Sequence, residues 1–378
     1  DILSKVELEY DRGRYWPEPL IQINPNYKRQ STVQQLAHEG MLHASCSHIF
    51  QTGKTEGRAA DLHLYVHQLQ ALAKAQKQQS YVVTTGTGSG KSLAFFVPII
   101  DRILKAKQAD PQKRTRAIVI YPMNALANSQ LEELDKFLHG YPDDQKPFTV
   151  ARYTGQESDA DRKQIADNPP DILLTNFMML ELILTRFEDV DRRVVEHCQG
   201  LEFLVLDELH TYRGRQGADV ALLVRRLRER LQASQLVCIG TSATMSSTGT
   251  QADRNQTVAN VASLLFGAQI TEHDVIGETL ERVTNPAKDI EAVKSLLKPA
   301  LLKESYHWPD FAAFSDDPLA VWVELSLGIE LPLDEPPRRA RPVTLGDAAK
   351  RLADDAQCTV EEAHAGLQRF LVAAHNVK

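Results

Sequence analysis

The residues best suited to chemistry lie in three short runs. Thr85-Gly86-Thr87-Gly88-Ser89-Gly90-Lys91-Ser92 follows the β-rich run Tyr81-Val82-Val83-Thr84 and precedes an apolar-periodic segment with Leu93, Phe95, Phe96, Pro98 and Ile99. Strand, glycine-rich turn, then helix is the order that a phosphate-binding loop requires. Glycines let backbone N–H groups converge on phosphate oxygens, and the helix N-terminus adds partial positive charge. In this pattern Thr87, Gly88, Ser89 and Gly90 cradle phosphates, Lys91 reaches the β- and γ-phosphates, and the Ser92 hydroxyl ligates Mg²⁺. One position departs from it: Thr85 stands where the pattern begins with glycine.

The second run is Phe203-Leu204-Val205-Leu206-Asp207-Glu208-Leu209-His210. A continuous apolar strand there delivers two adjacent carboxylates at its end. Asp207 is suited to hold Mg²⁺ through its water shell, and Glu208 to orient and deprotonate an attacking water. The third run is Gly240-Thr241-Ser242-Ala243-Thr244, whose small hydroxyls can hydrogen-bond the carboxylates and sense nucleotide state, with His210, Ser242 and Thr244 as coupling residues. Gly53-Lys54-Thr55 imitates the end of a phosphate loop, but His48 stands where the first glycine belongs and no apolar strand leads in, so it reads as linker.

The elements that must position these runs follow from hydrophobic patterning. Apolar, β-rich segments at Tyr81–Thr85, Ala117–Tyr121, Thr149–Tyr153, Asp171–Thr175, Phe203–Leu206 and Leu236–Thr241 alternate with helical stretches. The fold class is therefore α/β, with a mostly parallel sheet covered on both faces. Ligands gather outside the carboxyl ends of such strands, where all three runs fall. The expected organisation is an N-terminal accessory segment over 1–60, the nucleotide-binding domain over 61–250, and a mainly helical region over 251–378. Within the last, Thr344-Leu345-Gly346-Asp347 and Thr359-Val360-Glu361-Glu362 are two cap-like helix starts, so 343–374 can form a winged-helix or helix-turn-helix module or a plain helical insert.

Composition sets the outer bounds. The 378 residues are 43% hydrophobic and 25% charged, ordinary for a globular protein, and are long enough for two or three domains. A net charge of −7 gives no chain-wide attraction to nucleic acid. Cys46, Cys198, Cys238 and Cys358 are widely spaced, which fits reduced thiols in the cytoplasm rather than a disulfide framework or a metal site. No apolar run approaches the roughly 20 residues that span a bilayer, so no membrane partner is expected.

Taken in order, Thr87-Gly88-Ser89-Gly90-Lys91-Ser92, Asp207-Glu208-Leu209-His210 and Ser242-Ala243-Thr244 resemble the motifs of superfamily 2 helicases of the DExH type. The resemblance covers roughly residues 61–285 and implies a RecA-like P-loop NTPase domain that binds ATP with Mg²⁺. Leu64-Tyr65-Val66-His67-Gln68 looks like the upstream glutamine motif, implying that Gln68 reads the adenine edge. Tyr121-Pro122-Met123-Asn124-Ala125-Leu126-Ala127, Tyr153-Thr154-Gly155 and Thr175-Asn176 are similar to segments that contact the sugar–phosphate backbone of one strand. By that resemblance Pro122, Asn124, Thr154, Gly155, Thr175 and Asn176 are nucleic-acid-binding residues. Backbone N–H groups, hydroxyls and amides at helix N-termini suit phosphates without reading sequence. The Leu206–Arg230 stretch, with Thr211-Tyr212-Arg213-Gly214, looks closest to the YprA/MrfA-like branch, which includes DNA-repair helicases and phage-defence helicases of the DISARM DrmA type.

No second RecA-like unit is legible in the chain. Arg338-Arg339-Ala340-Arg341 lies in a proline-rich stretch and is poorly placed to serve as an arginine finger. The expectation is thus the ATP-binding motor lobe of a helicase or translocase acting on single-stranded nucleic acid, with DNA favoured by the branch. A second lobe in the intact protein, and subunits of a defence or repair complex, are the expected partners. Lys378 is expected not to be the natural end, and this fragment alone to be weakly active. Two other readings stay open: a P-loop ATPase that remodels a protein partner, and a regulatory ATP-gated DNA-binding module.

Overall fold

The computed structural model describes residues 2–11, 19–86, 88–243, 250–332, 336–375 and 377. They form two compact units, one of Arg29–Glu278 and one of Asp1–Lys28 with Thr279–Lys378.

The first unit is built on a seven-stranded parallel sheet: β1 (Tyr81–Thr84), β2 (Ala117–Tyr121), β3 (Val150–Tyr153), β4 (Ile172–Asn176), β5 (Phe203–Leu206), β6 (Val237–Ser242) and β7 (Val275–Gly277), in the order β7-β1-β6-β5-β2-β4-β3. The central strands β2 and β5 are apolar and buried along their length because both faces are covered, as crossover helices require in a parallel sheet. Side chains alternate between the two sides. In β2, Ala117, Val119 and Tyr121 enter one core, and Ile118 and Ile120 the other. Helices α1 (Val66–Gln76), α2 (Leu93–Ala109) and α3 (Asn124–Leu138) pack on the first face. Helices α4 (Phe177–Thr185), α5 (Gly214–Arg230) and α6 (Gln251–Phe266) pack on the second.

The six expected strands are present to within a residue or two, and β7 is an addition. Its three residues are too short for a periodicity signal, yet Val275 and Ile276 are buried and pair beside β1. The unit therefore reaches Glu278, whereas the sequence placed a border at 250. The expected 1–60 segment is likewise divided between the units. Arg29–Thr32 pairs antiparallel with His63–Tyr65, and Val33, Leu36, Leu42, Cys46, Ile49 and Phe50 join the core of the first face. Lys54, in the imitation phosphate loop, donates to the carbonyls of His48 at 3.0 Å and Phe137 at 2.8 Å and lies over the Tyr141 ring. Its role is to tie down the chain.

The second unit is mainly helical, with short antiparallel pairings between Leu20–Ile21 and Val343–Thr344 and between Asn26–Tyr27 and Leu280–Glu281. Its core holds Trp322, whose Nε1 donates to Asp355 at 2.8 Å, and Phe370. Helices α7 (Leu345–Ala356) and α8 (Val360–Ala374) pack on each other across a three-residue turn, as the two cap-like starts suggested. A Cβ on Gly366 of α8 would come within 2.6 Å of Leu301, so α8 is pressed into this unit's core. Glu361 and Glu362 occupy the first turn of α8, where a groove-reading helix would face phosphates, and their charge opposes that use. Arg338 and Arg339, in the proline-rich stretch, bond within the unit to Glu330 at 2.6 Å and to Tyr27 at 2.7 Å.

Candidate functional site

The turn from β1 into α2 holds the glycine-rich run. Gly88 and Gly90 have φ of +78° and +66°, the left-handed region where glycine carries no Cβ penalty. Three side chains hold the loop from outside. His67 Nε2 lies 2.9 Å from the Ser89 carbonyl, Gln68 Nε2 donates to the Gly90 carbonyl at 2.9 Å, and Glu278 accepts from the Gly86 N–H at 3.1 Å. The Thr85 and Ser89 hydroxyls bond to each other at 2.5 Å, a use for threonine at the position where glycine was expected. Among the described residues no hydrogen bond consumes the N–H groups of residues 88 to 92, which leaves them for an anion. Thr87 lies outside the described residues.

Gln68 departs from the adenine-reading role that the resemblance implied. It is buried, its Oε1 accepts from the Tyr65 N–H at 2.8 Å, and its Nε2 is engaged by the loop. In this structure the amide braces the loop rather than facing an open pocket. His67 was missed beside it, because one buried histidine carries no pattern of its own. Burial lowers the His67 pKa and so favours the neutral ring.

The carboxylates stand at the end of β5, two strands from the loop. Lys91 Nζ is 3.8 Å from Glu208 Oε1. Glu208 has φ +54°, uncommon for a residue with a side chain, and strain of this kind collects at functional sites. Among the described residues its buried Oε2 has no hydrogen-bond partner, although His210 Nδ1 lies 3.2 Å away. Ser242 Oγ is 3.4 Å from the same His210 nitrogen, so Glu208, His210 and Ser242 lie side by side. Burial pushes the Asp207 carboxyl above the usual range and the Glu208 charge adds to this, while the Thr241 hydroxyl and Lys91 pull it back.

Within the third run, Thr241 touches the Asp207 carboxylate. Its hydroxyl donates to Asp207 Oδ1 and accepts from the Glu208 N–H at 3.1 Å. The signal lay in the register: Leu206 pairs with Gly240, so the next residues, Asp207 and Thr241, must adjoin. Thr244 lies outside the described residues.

The three expected strand-contact segments converge at the ends of β2, β3 and β4. Asn176 Nδ2 donates to Asn124 Oδ1 at 2.7 Å and to the Thr154 carbonyl at 3.1 Å, and Asn176 Oδ1 caps α4 through the Met179 N–H. Pro122 precedes Asn124 at the start of α3, and Thr175 donates to the Tyr153 carbonyl at 2.6 Å. The Thr154 and Gly155 N–H groups are not available for phosphate as expected. Glu157 takes them at 2.7 Å and 2.9 Å, with the Thr154 hydroxyl at 3.0 Å and Arg152 Nε at 2.7 Å. A cavity of about 400 Å³ between Arg102, Lys105, Arg114 and Glu202 lies at the amino ends of the strands, the opposite edge from every one of these residues.

The sequence profile of the DEAD/DEAH box helicase family matches residues 65–252. The chain is 35% identical over 185 residues to the ATP-dependent helicase YprA of Bacillus subtilis (strain 168), covering 48% of this chain and 23% of that protein. It is 32% identical over 204 residues to the Lhr helicase/uracil glycosylase of Escherichia coli (strain K12), covering 49% and 13%. Among solved structures, it is similar to the DUF1998 helicase MrfA bound to DNA and AMPPNP, with 25% identity, a TM-score of 0.50, and coverage of 78% of this chain and 39% of that one. The chain thus spans well under half the length of each of these relatives.

Proposed function

We propose, on the premise that residues 65–252 are a DEAD/DEAH box helicase domain, that this chain is the first motor lobe of an ATP-dependent helicase or translocase that moves along one strand of DNA. The observation that carries this reading is the meeting, on one edge of one sheet, of a phosphate loop facing a carboxylate pair and the Asn124–Asn176–Thr154 cluster. A P-loop ATPase that remodels a protein partner needs only the first half of that edge. DNA is favoured over RNA because MrfA, similar in sequence and fold, is bound to DNA in its structure.

The residues fit ATP with Mg²⁺. Among the described residues the N–H groups of residues 88 to 92 are uncommitted and Glu208 Oε2, 3.2 Å from His210 Nδ1, accepts no hydrogen bond, and Gly90 lies so close to Gln68 that a Cβ would sit 2.7 Å from Nε2. Gly88, Ser89 and Gly90 would bind the phosphates through their N–H groups, with Thr87 in the same loop, and Lys91 would neutralise the outer ones. Ser92 and Asp207 would hold the metal, which supplies charge stabilisation at the transferred phosphoryl group. Glu208, fixed by its left-handed backbone and by Lys91, would orient water and take its proton. Loss of that charge arrangement reaches Ser242 through His210. Pro122, Asn124, Thr175 and Asn176 would grip the backbone of the strand, with Thr154 and Gly155 supporting them from the turn that Glu157 closes.

In the intact protein a second RecA-like lobe would close over ATP and supply an arginine, a contribution of about 10³–10⁵ in rate in related NTPases. This lobe alone is therefore expected to be slow. Subunits of a repair or defence complex are the protein partners this reading expects. No helix among the described residues is long and apolar enough to cross a membrane, and the four cysteines are free thiols, which suits the cytoplasm. Lys91→Ala tests the assignment. Nucleotide-analogue binding should be lost, with turnover in the full-length protein down by at least about 10²-fold, and wild-type turnover would refute it.

A further inference from the structure

Two buried tyrosines of this unit use their hydroxyls. Tyr81 donates to the Ala94 carbonyl at 2.8 Å, and Tyr153 to Asp191 at 2.5 Å. Tyr121 does not. It is 1% exposed, and its hydroxyl has no hydrogen-bond partner among the described residues. Burying a hydroxyl without a partner is costly, so an orphan of this kind marks a bond made in another state.

Its surroundings identify that state. Leu206 pairs with Ile120, and the Asp207 N–H donates to the Ile120 carbonyl at 3.0 Å, so Asp207 adjoins Tyr121 across the strands. Val205 and Tyr121 both enter the core of the first face, and Asp207, two residues after Val205, turns to that same side. Two other orphaned buried atoms, Glu208 Oε2 and the Tyr212 hydroxyl, belong to the same strand end. Burial keeps both phenols protonated, as donors, and the Asp207 charge adds to this. Tyr121 also opens the Pro122–Asn124 segment, whose amide meets Asn176.

We propose that Tyr121 is a positioning residue for Asp207 in the nucleotide-loaded site, its hydroxyl donating to that carboxylate or to a water the carboxylate holds, so that strand contact at Pro122–Asn124 and metal binding at Asp207 are linked. This rests on the ATP and Mg²⁺ reading of the site. The phenol replaces a contact that water would otherwise supply, and its rigid attachment to β2 fixes the carboxylate's direction.

The test uses the full chain as wild type, Tyr121→Phe and Tyr81→Phe, with thermal unfolding and titration of a fluorescent non-hydrolysable ATP analogue at varied Mg²⁺. In Tyr121→Phe the ligand-free unfolding midpoint should stay level or rise, because an unpaired hydroxyl is removed. The Mg²⁺ concentration that supports half-maximal analogue binding should rise roughly tenfold, one charged hydrogen bond, while Mg²⁺-free binding stays unchanged. Single-stranded DNA should no longer alter analogue affinity. Tyr81→Phe, which breaks a bond already made, should lower the midpoint and keep the wild-type Mg²⁺ dependence. A Tyr121→Phe chain with wild-type Mg²⁺ dependence, or one destabilised like Tyr81→Phe, overturns the inference. A wild-type chain that binds no analogue refutes the nucleotide reading itself, and this inference with it.

Discussion

Replacing Gly90 by alanine should damage the loop far more than the same change at Gly88. Both glycines have positive φ, +66° and +78°, so each alanine carries about 1–2 kcal/mol of left-handed strain. At Gly88 the new methyl meets nothing within 4 Å, and the strain is the whole cost. At Gly90 the Cβ falls 2.7 Å from Gln68 Nε2, which must move. That amide is buried and bonded to the Tyr65 N–H at 2.8 Å and the Gly90 carbonyl at 2.9 Å. Losing both bonds adds about 1 kcal/mol each, for a total of roughly 3–4 kcal/mol. Chemical denaturation of the three chains, with analogue titration alongside, measures the difference. In the Gln68→Ala/Gly90→Ala double variant the clash disappears, so its cost should fall below the sum of the single changes by about 1–2 kcal/mol. Equal costs for Gly88→Ala and Gly90→Ala, or strict additivity with Gln68→Ala, would refute the brace.

Three further outcomes follow from the geometry. Glu157→Gln should cost about 1–3 kcal/mol near neutral pH by weakening bonds to a buried carboxylate. Burial raises the Glu157 pKa, but the Thr154 N–H and Arg152 outweigh it and hold it below the ordinary value. That stability is fully present above the unfolded pKa of about 4.3 and is lost as pH falls through the folded pKa, so the gap between variant and wild type should close on acidification in denaturation curves. Lys54→Met should destabilise the unit by about 1–3 kcal/mol, through two orphaned carbonyls, and leave analogue affinity unchanged. Asn176→Ala should weaken single-strand binding several-fold at every salt concentration without altering the slope of log affinity against log salt, since the amide neutralises no phosphate; a changed slope would count against its role.

The sheet was legible because parallel strands buried on both faces read as unbroken apolar runs, and the phosphate loop and carboxylates because their chemistry demands fixed residue types at strand ends. What escaped was set by pairing across the sheet. β7 is three residues long, and only its place beside β1 makes it a strand. Which hydroxyl of the Gly240–Thr244 run holds Asp207 is settled by register, which puts Thr241 beside it and which one chain segment cannot reveal. Gln68 had the right neighbours for an adenine reader, yet the capping geometry of α1 turns its amide inward. Thr154 and Gly155 carry the residue types for a phosphate contact, but Glu157, two residues on, claims their N–H groups first.

The most direct measurement is ATP turnover by the full-length protein, with and without single-stranded DNA or RNA, beside a Glu208→Gln variant. The account predicts strong stimulation by DNA in the wild type and none in the variant, which should still bind nucleotide. Turnover indifferent to both nucleic acids, or a Glu208→Gln protein that hydrolyses ATP at the wild-type rate, would contradict it.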